Sequence, residues 1–478
     1  MALKGTAVIE LTNVRTGEKE RYVEENLITN ALYYLHKPIP SLKLPFKGLT
    51  TNSMESEAQQ REPVYPYLLG GIVLWQDKLP EDADIVTPPH GVKMVGCAAY
   101  DQVNTTTSSK RGSYNAAESY FTNSSVETSM KFVYDFATNQ ANGKINCLSL
   151  TSWEGGWNGF GGNDGRKDCI NKNFGLFDSY VGLESAVPFK LWYSDLGRLL
   201  YIDPEEDAFY EVTSVTTSSV TIGKFRANLT MKSIFRNAFT AHGLLETISI
   251  SLPTTMTGSN TYCCNYDIDN NKVYIVVSPS SSNVASSGRF YVIEIDMDTY
   301  TATVHTMTNP IGSTLYVARA YMTCYGGNLY YVYSGINAVK RISLENSSYA
   351  NLYVPSGTGV DSYNIFIANG KIYFLGRVKI DSSTYGVVCF IDPSDGTVHC
   401  TGNVYFPQYF SDFRQMVPIK GFPLTFYMGR YSTSNNTQLY YGGLWHDPRY
   451  LATINNLDYE IEKTSDKTMK ITYTIQEM

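Results

Sequence analysis

Lys131-Phe-Val-Tyr-Asp-Phe136, Ala137-Thr-Asn-Gln-Ala-Asn-Gly143 and Lys144-Ile-Asn-Cys-Leu-Ser-Leu150 follow one another without a break. Two runs rich in aromatic and branched residues flank a polar stretch that closes on Asn142-Gly143. This pattern predicts two strands joined as a β-hairpin. Upstream, Leu68-Leu-Gly-Gly-Ile-Val-Leu-Trp75 is one apolar run, which predicts a buried strand. Val92-Lys-Met-Val-Gly-Cys-Ala-Ala-Tyr100 predicts another, and Arg111–Asn115 and Glu118–Phe121 lead into the hairpin. So many strands with turns between them predict a β-sandwich, jelly-roll-like in type.

Nearer the N-terminus, Thr6–Val14 reads as a strand, Arg15-Thr-Gly17 as a turn and Lys19–Val23 as the return strand. Asn26 to Leu35 suits a short helix capped by Asn26 or Thr29. Residues 36–63 are rich in Pro, Ser and Thr and then charged. They read as an arm that grips a neighbour, or as a plain surface loop.

From about residue 190 a repeat begins. Asn271-Lys-Val-Tyr-Ile-Val276, Gly327-Asn-Leu-Tyr-Tyr-Val332 and Gly370-Lys-Ile-Tyr-Phe-Leu375 each place an aliphatic residue before a tyrosine after a turn residue. Tyr291–Thr299, Val339–Asn346 and Val387–Gly396 then supply a further strand and a polar turn. The unit is four antiparallel strands, recurring every ~40–55 residues, as in propeller blades. A partial unit covers Met416–Tyr441 and another Phe189–Val212. Residues 216–258 break the period and read as an insertion or hinge, with Ile234, Phe235, Ala238 and Phe239 on a helix face. A stack of small sandwiches is the alternative. Four-stranded units this short cannot bury both faces alone, which favours a propeller.

The tail leaves the repeat. Met469, Ile471, Tyr473 and Ile475 alternate with polar residues, the mark of a half-buried strand. The expected fold is therefore all-β. Residues 1–189 form a sandwich carrying the arm, 190–445 an inserted β-propeller-like domain, and 446–478 return to complete the sandwich.

Several of these segments resemble virion structural proteins of tailed phages that infect Gram-positive bacteria. They are LLGGIVLW (68–75), PPHGVKMVG (88–96), RGSYNAAES (111–119), KFVYDFATNQANGKINCLSLT (131–151), LATINNL (451–457) and DKTMKITYTI (466–475). The resemblance covers roughly residues 5–35, 66–157 and 445–478, and it leaves out the repeat. It implies a tail, baseplate or fibre protein of the virion, assembled in the bacterial cytoplasm. Other virion proteins would be its partners, and it would itself be a homo-oligomer.

Composition sets further expectations. The 478 residues include 38 Tyr, with 17% charged residues and a net charge of −7. A basic nucleic-acid footprint is absent. No run approaches the ~18 apolar residues of a membrane span, and Met1–Leu11 lacks the apolar core of a signal peptide. The eight Cys form no C-x-x-C pair, so a zinc site is not signalled. Cys389 and Cys400 are expected to face each other across the Pro393–Gly396 turn.

Candidate chemistry is sparse. The six His form no i, i+4 pair, and His305 and His399 sit at equivalent strand positions of the repeat. Asp267-Ile-Asp269 begins like a calcium loop, but Lys272 replaces the required Gly and Ser278 the required Glu. Turn chemistry accounts for it and for Asp296 and Asp298. Trp153-Glu-Gly-Gly-Trp-Asn-Gly-Phe-Gly-Gly-Asn-Asp-Gly165 has no Gly-Lys-Ser/Thr ending, so it is not a phosphate loop. Its Trp153, Trp157 and Phe160 suit stacking on glycan or on a neighbouring subunit. Glu154, Asp164 and Asp168 show no spacing that pairs them for hydrolysis. The expectation is a non-enzyme without cofactor or metal. Its propeller would bind a host-surface glycan or protein; the alternatives are a tail-nozzle or head-fibre spacer and, last, a polysaccharide hydrolase.

Overall fold

The computed structural model describes residues 3–36, 68–89, 92–105, 107–123, 128–153, 155, 199–203, 205–206, 208–226, 244–317, 322–332, 338–353, 358–380, 383–394, 396–403, 413–432, 439–446 and 450–477. The chain divides into two compact units. One comprises Met1–His36, Gly48–Leu176 and Asp447–Met478; the other comprises Lys37–Lys47 and Phe177–His446. The arm expected after His36 lies outside the described residues.

The first unit is a two-sheet sandwich. Its early strands are β1 (Leu3–Asn13), β2 (Lys19–Glu25), β3 (Leu27–Ile28), β4 (Gly71–Trp75), β5 (Met94–Ala98), β6 (Ser113–Tyr114), β7 (Tyr120–Asn123), β8 (Thr128–Phe136) and β9 (Gly143–Thr151), with the short helix α1 (Ala31–His36) between β3 and β4. The hairpin β1–β2 forms as its turn chemistry dictates: Asn13 Oδ1 accepts from Arg15 N and Thr16 N, and Gly17 turns the chain at φ 74°. The helix is shorter than expected, because Leu27 and Ile28 join a sheet instead. Thr29 Oγ1 accepts from Ala31 N at 3.3 Å, as a cap should.

The second unit is a ring of four-stranded meanders. The first blade is β10 (Leu199–Asp203), β11 (Ala208–Val215), β12 (Ser219–Arg226) and β13 (Leu244–Ser251). The second is β14 (Thr261–Asp267), β15 (Lys272–Ser278), β17 (Arg289–Asp296) and β18 (Thr301–Thr308), with the short β16 (Asn283–Val284) and β19 (Leu315–Tyr316) paired beside it. The third is β20 (Met322–Tyr325), β21 (Asn328–Tyr331), β22 (Ala338–Ser343) and β23 (Tyr349–Tyr353). The fourth is β24 (Thr358–Ala368), β25 (Lys371–Ile380), β26 (Ser383–Ile391) and β27 (Val398–Asn403), and a parallel bridge between Asp267 and Ile367 joins its β24 to β14, so that the second and fourth meanders make one eight-stranded sheet. The fifth shows three strands among the described residues, β28 (Phe413–Pro418), β29 (Thr425–Ser432) and β30 (Leu439–His446). The chain then returns to the sandwich as β31 (Thr453–Lys463) and β32 (Lys467–Glu477).

One sandwich sheet runs β2-β1-β32-β8-β6 with β7 beside β8; the other runs β3-β31-β9-β4-β5. The predicted β8–β9 hairpin is therefore corrected. Both strands exist, but β8 pairs with β32 and β9 with β31 and β4. The connection is an arch that carries the chain from one sheet to the other. β31 and β32 make a second arch alongside it. A linker of residues 137–142 is long enough to cross the ~10 Å between packed sheets.

Alternation decides what each sheet buries. Ala7, Ile9 and Leu11 of β1 and Met469, Ile471, Tyr473 and Ile475 of β32 are all buried. The apolar run of β4 is buried on both faces. Val73 and Trp75 pack with Leu79, Cys147, Leu451 and Ile454 on one side. Ile72 and Leu74 turn the other way and are equally buried.

In the ring, the innermost strands β10, β14, β20, β24 and β28 follow one another, and β28 lies beside β10 to close the circle. Ile202 bridges Ile419 in parallel fashion, and Lys420 N donates to Ile202 O at 2.9 Å, sealing first blade to last. The repeat tyrosines Tyr274, Tyr330 and Tyr373 are all buried. The stretch after residue 216 is corrected from an insertion to the third and fourth strands of the first blade. The proposed helix face at 234–239 lies outside the described residues.

Candidate functional site

Of the aromatic residues expected to stack on glycan, Trp153 is described; Trp157 and Phe160 lie outside the described residues, as do Glu154, Asp164 and Asp168. Trp153 is half-buried at a tight corner. Its carbonyl accepts from Tyr100 N at 2.6 Å. Gly155 adopts φ 61°, and a Cβ there would stand 1.7 Å from Ala98 O. A Cβ on Gly71 would stand 2.0 Å from Ser152 O. Glycine is needed here for close backbone packing.

The aspartates of the ring serve its turns. Asp267 is fully buried and accepts from Asp269 N at 3.0 Å, Asn270 N at 3.2 Å and Asn270 Nδ2 at 2.8 Å. Burial raises its carboxyl above the usual range, and the Asn270 bond pulls the other way. Asp296 accepts from Asp298 N and Thr299 N at 3.0 and 2.9 Å, and the Thr299 bonds hold its carboxyl low. Asp203 accepts from Glu205 N and Glu206 N, both at 3.1 Å, and meets Lys420 Nζ at 3.3 Å.

Asp269 does something the sequence did not signal. It accepts from Asn369 N at 2.8 Å and Gly370 N at 2.7 Å. Those residues have φ 52° and 66°, so two successive N–H groups form a small anion nest that the carboxylate fills. Asn369 Nδ2 in turn donates to Pro423 O at 2.6 Å. Turns of the second, fourth and fifth blades are thereby tied together.

Beside them Tyr201 stacks between Tyr210 and Tyr266, with ring centroids 4.5 and 4.2 Å away. Lys420 lies 5.9 Å from the Tyr201 ring and Lys224 5.8 Å from Tyr210. Lys224 Nζ also meets Glu206 at 2.9 Å, which first among its neighbours holds that carboxyl low. Burial pushes all three phenols well up, so none ionises near neutral pH. His305 and His399 lie on β18 and β27, opposite Val292 and Phe390. His305 Nε2 stands 3.7 Å from Glu294, whose other oxygen meets Lys272 at 2.7 Å. Cys389 and Cys400 are register partners.

Among the described residues, no three His, Cys, Asp or Glu side chains converge where they could hold a metal ion, and no helix is long and apolar enough to cross a membrane. What the ring offers its surroundings is aromatic. Tyr300, Tyr349 and Tyr353 are 46%, 44% and 72% exposed. Tyr349, Asn351 and Tyr353 alternate onto one side of β23, the outermost strand of the third blade. Lys340 Nζ donates to Asn351 Oδ1. Tyr300 and Tyr349 follow Thr299 and Ser348 instead of an aliphatic residue, a difference by which the sequence could have set them apart; Tyr353 follows Leu352 and carries no such mark.

No protein-family model matches the chain, and no curated protein matches it. Among solved structures it is similar to the arabinanase Arb43A of Bacillus subtilis, at 12% identity over 57% of this chain and 97% of that one, with a TM-score of 0.28. It is similar to an oligogalacturonate lyase in complex with manganese, at 8% identity over 68% of this chain and 79% of that one, TM-score 0.30. It is also similar to hydrazine synthase of Kuenenia stuttgartiensis, at 11% identity over 53% of this chain, TM-score 0.25, and spans 63% of that protein's length. Likenesses this distant carry no argument about what the chain does.

Proposed function

We propose that the chain is a structural protein of a tailed-phage virion, of the tail, baseplate or fibre. Its sandwich attaches to other virion proteins and supports homo-oligomers, and its propeller contacts a host-surface glycan or protein. One observation carries the reading. The segments that resemble phage structural proteins fall together in the unit built from both chain ends, while the inserted ring bears exposed tyrosines on the outermost strand of its third blade and in the β17–β18 turn. A new specificity can be carried on such an insertion without disturbing assembly. Asp203, Asp267, Asp269 and Asp296 of the ring are committed to turns and blade contacts, which favours a binding or spacing role over hydrolysis.

The test adds the isolated ring, displayed multivalently, to host cells before infection, because many weak sites gain avidity together. Dose-dependent labelling with reduced phage adsorption is expected. Absence of both would leave a spacer, such as a tail nozzle or head fibre. Release of reducing sugar from envelope material would instead make it a hydrolase.

A further inference from the structure

Asn142 and Gly143 close the β8–β9 arch, and Lys463 ends β31 beside them. Lys463 is 1% exposed. Its ammonium donates to Ala137 O at 2.9 Å, Thr138 O at 3.4 Å and Asn142 Oδ1 at 2.8 Å. All three acceptors are neutral. Asn142 itself is exposed, and its Nδ2 donates to Thr138 O at 2.9 Å. Gly143 follows at φ 140°, with no side chain to crowd its nitrogen.

The geometry points to Asn142 as a site of spontaneous deamidation, whose product aspartate becomes the counter-ion of Lys463. The Gly143 amide nitrogen gives its proton to solvent base and attacks Asn142 Cγ. The Cγ–Nδ2 bond breaks, Nδ2 leaves as ammonia, and a succinimide forms. Water then opens the ring to aspartate or isoaspartate, so solvent is the sole co-reactant. Lys463 donates to the oxygen on which negative charge develops in the attack, which lowers the barrier as an oxyanion donor does. Once formed, the carboxylate gives a buried cation the opposite charge it lacks, and a charge-assisted hydrogen bond replaces a weaker one.

Peptide mapping of the full chain after prolonged incubation at about pH 7, where Lys463 keeps its proton, tests this, with Asn369-Gly370 as the internal comparison. A mass gain of about 1 Da is expected at Asn142 at least about fivefold faster than at Asn369, and slowed by a similar factor in Lys463→Met. The Asn142→Asp variant should melt at a higher temperature than the wild type, a readout that does not depend on how Lys463→Met folds. A gain at Asn142 no faster than at Asn369, or an Asn142→Asp variant no more stable, would overturn the proposal. So would a cross-linked peptide joining residues 142 and 463 with loss of about 17 Da, since Lys463 would then be the nucleophile.

Discussion

Asn26 and Tyr473, 447 residues apart in the chain, are joined by a hydrogen bond of 2.6 Å from Asn26 Nδ2 to the tyrosine oxygen. The Tyr473 hydroxyl in turn donates a hydrogen bond to Thr453 Oγ1 at 2.9 Å, linking one sheet of the sandwich to the other. Tyr473→Phe keeps the ring and strands the Asn26 donor. A loss of about 1–3 kcal/mol in urea unfolding is expected. A neutral result would mean that Asn26 finds another acceptor.

Thr151 Oγ1 donates to Tyr450 O at 2.5 Å, and Ala452 N to Leu150 O at 2.8 Å. The last strand before the ring and the chain returning from it are thus side by side. Replacing residues 177–446 with a short Gly/Ser linker should leave a folded β-protein. A product that is unfolded by circular dichroism and rapidly proteolysed would count against the insertion.

Asp269 holds two backbone donors of another blade. Asp269→Ala should cost the ring about 2 kcal/mol, because both N–H groups lose a charged acceptor. Calorimetry of the isolated ring measures this, and an unshifted melting temperature would show that solvent replaces the carboxylate without loss.

Burial pushes the Lys463 ammonium down to about 8 from an ordinary 10.5. In that window the unfolded chain keeps a proton that the folded chain has released, so this residue's contribution to stability rises with pH, by about 1.4 kcal/mol per unit. Relative to Lys463→Met, the wild type should gain about 2 kcal/mol between about pH 7.5 and about pH 9.5. A constant difference in urea unfolding across that range would mean that Lys463 stays protonated when folded.

Tyr349 and Tyr353 are exposed on an outer strand, so changing both to Ala should alter stability by less than about 1 kcal/mol. If the ring contacts the host through this side, the double variant should stain host cells several-fold less than the wild-type ring. Undiminished staining would move the contact elsewhere on the ring.

The strands and the repeat were legible because both are local patterns. Alternation at Met469–Ile475 and the recurring tyrosines at 274, 330 and 373 need no knowledge of distant partners. The partner of β8 was not legible. Asn142-Gly143 announces a reversal, yet nothing nearby says whether the strands pair with each other or with β31 and β32, hundreds of residues away. Lys463 was silent for the same reason: its three acceptors lie in a turn that the sequence places far from it. The turn role of Asp267 was readable from its spacing, whereas Asp269 gripping Asn369 and Gly370 depends on ring closure. Of the three aromatics singled out, only Trp153 falls among the described residues, and it sits at a packed corner.

The pairing of β1 with β32 also sets a timetable. The ribosome makes residues 467–477 last of the sandwich strands, so β1 waits for its neighbour while everything between is synthesised. At ordinary elongation speeds that is on the order of tens of seconds. For that interval the edge of β1 that pairs with β32 has no partner, a state that invites chaperones or stray strands. The ring, whose described strands all lie between residues 199 and 446, is free to close first. Any chain that stops short of β32 then carries a finished ring on a sandwich that lacks the central strand of one sheet.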